Sequence, residues 1–102
     1  MAKKFVAKIL LVLLFISGNA FAELKVMNWE CSDQPTGIVQ NTSSKNYNYV
    51  QIQIPLLKKD GTKVGDAVAN VSGLGANQKW EFKALAFHQN FDKCGAPKVT
   101  GF

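Results

Sequence analysis

The fold is decided by residues 47–57, which read YNYVQIQIPLL and alternate between two sets of side chains. A period of two is that of a β-strand with one face in a core and the other in solvent. One side of the strand would carry Asn48, Val50, Ile52, Ile54 and Leu56. The other side would carry Tyr47, Tyr49, Gln51 and Gln53. We therefore predict a long strand with an exposed stripe of tyrosine and glutamine.

The segments around this strand show the same period and are separated by turn residues. Asp60-Gly61 predicts a hairpin turn, and residues 62–71 would form the return strand. Further short strands are predicted in residues 24–31, 37–41, 79–87 and 98–102. Because no segment outside the first 22 residues has helical spacing with caps, the pattern predicts an all-β sandwich or small barrel of six or seven strands. The residues predicted to be buried are Trp29, Val39, Val50, Ile52, Ile54, Leu56, Trp80 and Phe82.

Residues 1–22 have the features of a bacterial secretory signal peptide. Three lysines precede an apolar run at residues 9–16, and residues 20–22 read Ala-Phe-Ala, a small-x-small cleavage site. The run has eight residues, whereas a membrane-spanning helix needs about 20. We therefore expect cleavage after Ala22, which leaves residues 23–102 as a single domain without a membrane span. The expected location is the periplasm or the outside of the cell.

Cleavage would also change the charge of the chain. The whole sequence has a formal charge of +5, and loss of the three signal lysines leaves nine lysines against seven acidic residues, or +2. A charge of +2 is a weak signature for nucleic acid or an anionic membrane surface, and we expect neither as a partner. A mature chain of about 80 residues is also too small for a dinucleotide-binding fold or an α/β barrel.

The two cysteines, Cys31 and Cys94, lie 63 positions apart in the expected mature chain. A single pair in a small exported domain favours a structural disulfide, whereas redox sites more often have Cys-x-x-Cys spacing. A metal site would need further ligands, and His88 is the only histidine. We therefore predict a disulfide between Cys31 and Cys94 and no metal or other cofactor.

Residues 37–84 resemble the FxLYD domain family of bacteria and archaea. Residues 37–41 read Gly-Ile-Val-Gln-Asn, as in the G-x-V-x-N opening of that family. Residues 52–61 fall on the family's alternating strand, its name motif and the turn glycine that follows. Leu56 is the leucine of the name motif, and the other three named positions are occupied here by Ile54, Leu57 and Lys58.

The later part of the same region continues the resemblance. Residues 64–66 match the return strand, and Leu74-Gly75 is followed by Trp-Glu-Phe-Lys-Ala at residues 80–84, as in the family's aromatic-x-Phe-x-Ala close. The resemblance implies an Ig-like β-sandwich of an exported or surface protein. It also implies a binding or accessory module, and it supplies no catalytic residue.

His88 is the one candidate for a catalytic base. A catalytic histidine needs a nucleophile and an orienting carboxylate, and the sequence has no Gly-x-Ser-x-Gly nucleophile elbow. Asp33, Asp60 and Asp92 lie in turn contexts, where hydrogen bonding to the backbone explains them. We predict that the protein is not an enzyme. A small enzyme that uses His88 with Asp92 is the alternative in which this prediction is wrong.

Two groups of residues are candidates for a binding site. The stripe of Tyr47, Tyr49, Gln51 and Gln53 has the composition of an interface, although strand propensity on a solvated face explains the same residues. Lys58, Lys59 and Lys63 would form a basic hairpin tip, which we call the basic tip. Protection of a sheet edge explains these lysines better than nucleic-acid binding does, because no aromatic residues are adjacent to them.

We therefore predict an exported, non-catalytic binding or accessory domain that acts by contact with an unidentified protein. The main alternative is a small secreted inhibitor of a cell-wall hydrolase, which would insert one loop into an active-site cleft. That loop would be residues 72–78 or the basic tip. A positive mature charge counts against the inhibitor if its target is a basic lysozyme, because like charges slow the encounter.

Overall fold

The computed structural model describes residues 23–87 and 90–102, and this part of the chain is all-β. Its strands are β1 (Leu24–Glu30), β2 (Thr36–Asn41), β3 (Tyr47–Leu57), β4 (Lys63–Leu74), β5 (Lys79–Lys83), β6 (Leu85–Ala86), β7 (Lys93–Cys94) and β8 (Lys98–Gly101). Six of these strands are four residues or longer, and the other two have two residues each. The expected signal peptide and His88 lie outside the described residues.

The described strands form two antiparallel sheets that pack together as a β-sandwich, so the predicted fold class is confirmed. Sheet 1 has the order β1-β2-β5. Sheet 2 has the order β6-β4-β3, and both β7 and β8 pair with the far side of β3. The most extensive pairing joins β3 to β4, from Tyr47 opposite Leu74 to Leu57 opposite Lys63.

The turn between β3 and β4 has the chemistry that Asp60-Gly61 predicts. Gly61 has a φ of +93°, which glycine adopts without steric cost, and its N–H donates to the Lys58 carbonyl at 2.9 Å. The Oδ1 atom of Asp60 accepts a hydrogen bond from the Thr62 N–H at 2.9 Å. This hydrogen bond holds the pKa of the Asp60 carboxyl below its usual 3.8.

The core lies between the sheets and follows the alternation of β3. Val50, Ile52, Ile54 and Leu56 are fully buried, and each such side chain contributes about 1.5–3 kcal/mol when it leaves water. This gain explains why the segment forms the central strand of sheet 2. Of the eight residues predicted to be buried, six are buried: Val39, Val50, Ile52, Ile54, Leu56 and Phe82.

Trp29 and Trp80 are half-buried, so the prediction of full burial is wrong for these two residues. They belong to β1 and β5, the two edge strands of sheet 1, where no further strand covers them. Both still pack against the core, and the ring centroid of Trp80 lies 5.9 Å from that of Phe82. The sequence pattern gives the side of Trp80 correctly, but in β1 Val26 packs against the core with Trp29, because the bulge at Asn28 breaks the alternation. The pattern also does not show which strands lie at an edge.

Pro55 explains why two short strands, rather than one long one, pair with the far side of β3. The Pro55 carbonyl faces this side and accepts a hydrogen bond from the Gly95 N–H at 2.8 Å. The nitrogen of Pro55 faces the same way and has no hydrogen to donate. The neighbouring strand is interrupted at this point, because β7 ends at Cys94 and β8 begins at Lys98.

The predicted disulfide is confirmed. Cys31 and Cys94 are bonded, and their Cα atoms are 5.8 Å apart. Cys31 follows β1 of sheet 1 and Cys94 lies in β7 of sheet 2, so the bond fastens the two sheets to each other. A disulfide of this kind is compatible with an oxidising, extracellular compartment.

Candidate binding face

The side of sheet 2 that points away from the core, which we call the outer face of sheet 2, has its charged residues mainly towards the β3–β4 turn, where Asp66 lies opposite Pro55 and Lys63 opposite Leu57. In its middle row Gln51 of β3 lies between Asn70 of β4 and Thr100 of β8. The next row places Gln53 between Val68 and Lys98, and Val68 is followed by Leu85 of β6. Lys98 is the one charged residue in these two rows. Gln51 and Gln53, two residues of the predicted stripe, therefore lie on this face, and Gln51 has an amide and a hydroxyl as neighbours.

An aromatic pair closes one end of the outer face of sheet 2. The rings of Tyr49 and Phe102 are stacked, with centroids 6.0 Å apart and an angle of 26° between their planes. The Tyr49 hydroxyl donates a hydrogen bond to Gln51 Oε1 at 2.9 Å, which orients the phenol along the sheet. Phe102 is 75% exposed. The pair thus presents a flat apolar surface of a kind that favours contact with a partner.

The β6 edge of the outer face of sheet 2 also carries apolar residues. Leu85 is 51% exposed and Phe87 is 79% exposed, and the buried Ala86 lies between them in the sequence. The alternation therefore places Leu85 and Phe87 on the outward side. With Phe102, these are all the large hydrophobic residues that are exposed in the described part of the chain. All three exposed hydrophobic residues therefore border the outer face of sheet 2, at its two edges.

The side of sheet 1 that points away from the core has a different character. Lys79, Glu81 and Lys83 alternate along β5 and are exposed. Lys25 of β1 lies in the same row as Gln40 of β2 and Lys79 of β5. Alternating charges along an edge strand are what a solvated face requires, and they discourage pairing with other chains. The row of Met27, Ile38 and Glu81 carries one charge, and the row of Lys25, Gln40 and Lys79 carries two, whereas the two middle rows of the outer face of sheet 2 carry only Lys98. The candidate site is therefore the middle of the outer face of sheet 2.

Tyr47 does not belong to the outer face of sheet 2, so its predicted exposure is wrong, as is the inward orientation expected for Asn48. Tyr47 is 8% exposed, whereas Asn48 is exposed. The Asn48 N–H donates to the Phe102 carbonyl at 2.8 Å, and the Phe102 N–H donates to the Tyr49 carbonyl at 3.0 Å. Two residues of β3 thus oppose one residue of the neighbouring segment. This is a β-bulge, and it turns Tyr47 towards the core.

The buried Tyr47 is part of a hydrogen-bonded cluster at the end of the sandwich. Its hydroxyl donates to Glu23 Oε1 at 2.6 Å, and Lys45 Nζ lies 3.4 Å from the same oxygen and 5.0 Å from the centre of the Tyr47 ring. The hydrogen bond from Tyr47 lowers the pKa of Glu23 below its usual 4.5. The hydrogen bond between Tyr47 and Glu23 also raises the pKa of the Tyr47 hydroxyl. The hydrogen bond between Lys45 and Glu23 raises the pKa of the Lys45 ammonium group. All three shifts favour the hydrogen-bonded cluster, so these residues hold the start of β1 against β3.

The basic tip is partly neutralised by acidic residues. Lys63 Nζ lies 3.1 Å from Asp66 Oδ1, and the backbone N–H of Lys59 donates to Asp92 Oδ2 at 3.0 Å. Lys59 and Lys63 are exposed, and Lys58 is half-buried. The tip also lies at the opposite end of β3 from Tyr49, about 30 Å away at the rise of an extended strand. The structure therefore does not combine the basic tip with the aromatic pair in one site.

Residues 72–78 do not form the free loop that the sequence indicates. Ser72 and Leu74 belong to β4, so the remaining turn is short. The Ala76 N–H donates to Asn46 Oδ1 at 3.0 Å, and the Gln78 N–H donates to the Gly75 carbonyl at 3.0 Å. The turn is therefore attached to the loop between β2 and β3.

Asn41 is the residue that joins these two loops, and sequence reasoning missed it. The side chain is fully buried, and its Nδ2 atom lies within hydrogen-bond distance of the carbonyls of Lys45 at 2.8 Å, Leu74 at 3.1 Å and Gly75 at 3.0 Å. Its Oδ1 atom accepts bonds from the backbone and the hydroxyl of Ser43. In the sequence, Asn41 opens a polar stretch typical of a solvated loop, and only long-range contacts show that it is buried.

Residues 23–87 and 90–102 contain no group of three or more His, Cys, Asp or Glu side chains that could hold a metal ion. This part of the chain also has no helix that is long and apolar enough to cross a membrane. No protein-family model, no curated protein and no solved structure matches the chain.

Proposed function

We propose that the protein is an exported, non-catalytic binding or accessory module that contacts a partner protein through the outer face of sheet 2. The observation that carries this proposal is the difference between the two faces of the sandwich. One face has lysine and glutamate alternating along β5, and the two middle rows of the other combine uncharged amides with Lys98 alone, beside the Tyr49–Phe102 pair. Interface centres are depleted of charge and enriched in aromatic residues, so the second face is the better candidate.

Export and family membership are part of the same proposal. The lysine-led apolar segment at residues 1–22 supports export, and the disulfide is compatible with an oxidising destination such as the periplasm. The resemblance of residues 37–84 to FxLYD domains supports an accessory role, because members of that family are modules of exported or surface proteins. We therefore expect the partner outside the cytoplasm.

The proposal is tested by adding the same charge to each face. Gln51 and Gln40 are both half-buried strand residues, on the outer face of sheet 2 and of sheet 1 respectively. The exported protein and its variants Gln51→Lys and Gln40→Lys are used to capture partners from a periplasmic extract. We expect Gln51→Lys to weaken capture of a given partner by about tenfold or more, because a desolvated unpaired charge is costly. Gln40→Lys should leave that capture unchanged, and equal loss from both variants would contradict the proposal.

The inhibitor of a cell-wall hydrolase stays a prediction, and the same assay separates it from the main proposal. An inhibitor that inserts the basic tip would lose its target when Lys59 and Lys63 are replaced with alanine. It would keep its target when Gln51 is replaced with lysine. Both lysine side chains are exposed, so the alanine variants are expected to fold.

A further inference from the structure

The four edges of the sandwich are not equally protected against pairing with another chain. In sheet 1, β5 carries alternating lysine and glutamate, and the pairing of β1 is broken after Met27 by a bulge at Asn28, whose φ is +51°. In sheet 2, β6 has only two residues. The remaining edge, β8, is regular over Lys98–Gly101 and carries one lysine at its start. Charges, bulges and short length protect sheet edges, so β8 is the least protected edge.

The backbone of β8 has hydrogen-bonding groups that point away from the sheet. The Phe102 N–H donates to Tyr49, so the backbone of Phe102 faces β3. Peptide groups alternate along an antiparallel strand, which directs Thr100 towards β3 and directs Val99 and Gly101 away from it. Among the described strands β8 pairs only with β3. The N–H and C=O groups of Val99 and Gly101 are therefore available to an added strand.

An open groove of about 390 Å³ runs along this edge. Residues 99–102 form one wall, and Glu23, Leu24 and Tyr47 form the other. The single ionisable acid in the groove is Glu23, and its carboxylate is already held by the Tyr47 hydroxyl and by Lys45. The side chains that line the groove thus carry no uncompensated charge, which suits a segment that is itself uncharged.

We infer that the open edge of β8 accepts an extended, uncharged peptide segment of a partner protein as an added strand. This inference rests on the proposed function, because the added strand would lie beside the aromatic pair on the outer face of sheet 2. Backbone hydrogen bonds would supply affinity, and alternate side chains of the peptide would enter the groove. A second copy of this chain is a poor occupant, because stable dimers bury about 800 Å² on each partner. An edge of four residues is only about 13 Å long, which is too short for that area.

The test measures amide hydrogen exchange of the isotope-labelled exported protein by nuclear magnetic resonance. The probes are capped peptides of about eight residues in which valine, isoleucine or tyrosine alternates with threonine. Saturating peptide should slow exchange at the amides of Val99 and Gly101 by about tenfold, because each gains a hydrogen bond. The amide of Phe102 is already bonded to Tyr49 and should not change. The matched control is each peptide with N-methyl groups at alternate amides, which removes its donors on one side.

The outcomes separate the inference from the proposed function. Slowing at Val99 and Gly101 by a plain peptide, without slowing by its N-methylated form, supports strand addition. An absence of slowing with the whole peptide set overturns the inference, as does equal slowing by plain and N-methylated peptides. If capture of a partner still depends on Gln51 in that case, the proposed function stands while strand addition fails.

Discussion

At the residue scale, Asn41 is the clearest case of a side chain whose role is structural. Its amide nitrogen faces three carbonyls and its oxygen accepts two bonds from Ser43, in a fully buried position. Buried polar groups that lose their partners cost the full penalty of desolvation. Asn41→Ala should therefore lower the free energy of unfolding by about 2–4 kcal/mol in urea denaturation. The control is Asn70→Ala on an exposed site of β4, which should change stability by less than about 0.5 kcal/mol.

The cluster of Glu23, Lys45 and Tyr47 predicts how stability depends on pH. The pKa of Glu23 is lower in the folded protein than its usual 4.5, so its contribution is present above that pH and is lost as the pH falls through the lower value. The pKa of Tyr47 is raised above its usual 10.0, so its contribution is present below pH 10.0 and is lost as the pH rises further. Tyr47→Phe removes the hydroxyl and should return the pKa of Glu23 towards 4.5. A titration of the Glu23 carboxyl carbon by nuclear magnetic resonance measures this change, and an unchanged pKa would contradict the assigned hydrogen bond.

At the element scale, Gly37 of β2 leaves the space in which side chains of both neighbouring strands pack. A Cβ atom at Gly37 would lie 2.7 Å from both Phe82 Cζ and Trp29 Cβ, so these two side chains occupy the space above the β2 backbone. We expect Gly37→Ala to destabilise the protein by about 1–3 kcal/mol through overpacking. Gly37→Ala should destabilise the protein less when Phe82 is already replaced with leucine than when Phe82 is present. Urea denaturation of the four proteins measures the coupling, and strictly additive losses would contradict the contact.

The elements also show how far sequence reasoning reaches. The alternation from Val50 to Leu56 predicts the buried side of β3 correctly, because one face of a strand repeats every two residues. The same rule fails for Tyr47 and Asn48, because a bulge at Asn48 and Tyr49 inserts one residue and reverses the alternation before it. The bulge depends on hydrogen bonds to Phe102, which is more than 50 positions away in the sequence. Local pattern contains no information about that contact, so the binding stripe is only partly predictable.

At the scale of the whole molecule, the disulfide joins the two sheets across 63 positions of the sequence. In the chain-entropy model, closure of a loop of this length contributes about 4 kcal/mol. Replacement of both cysteines with serine should therefore lower the free energy of unfolding by about that amount. Thiol labelling of the exported protein before unfolding should find no free thiol, and two reactive thiols would contradict the bond.

The central claim is that the outer face of sheet 2, rather than the outer face of sheet 1, contacts the partner. Site-specific photo-crosslinking in living cells tests it most directly. A photoreactive amino acid is placed at Gln51 or Asn70 on the outer face of sheet 2, and at Gln40 or Lys79 on sheet 1. We predict crosslinks to the same partner protein from Gln51 and Asn70 and none from Gln40 and Lys79. Crosslinks from the two positions on sheet 1 alone would contradict the account.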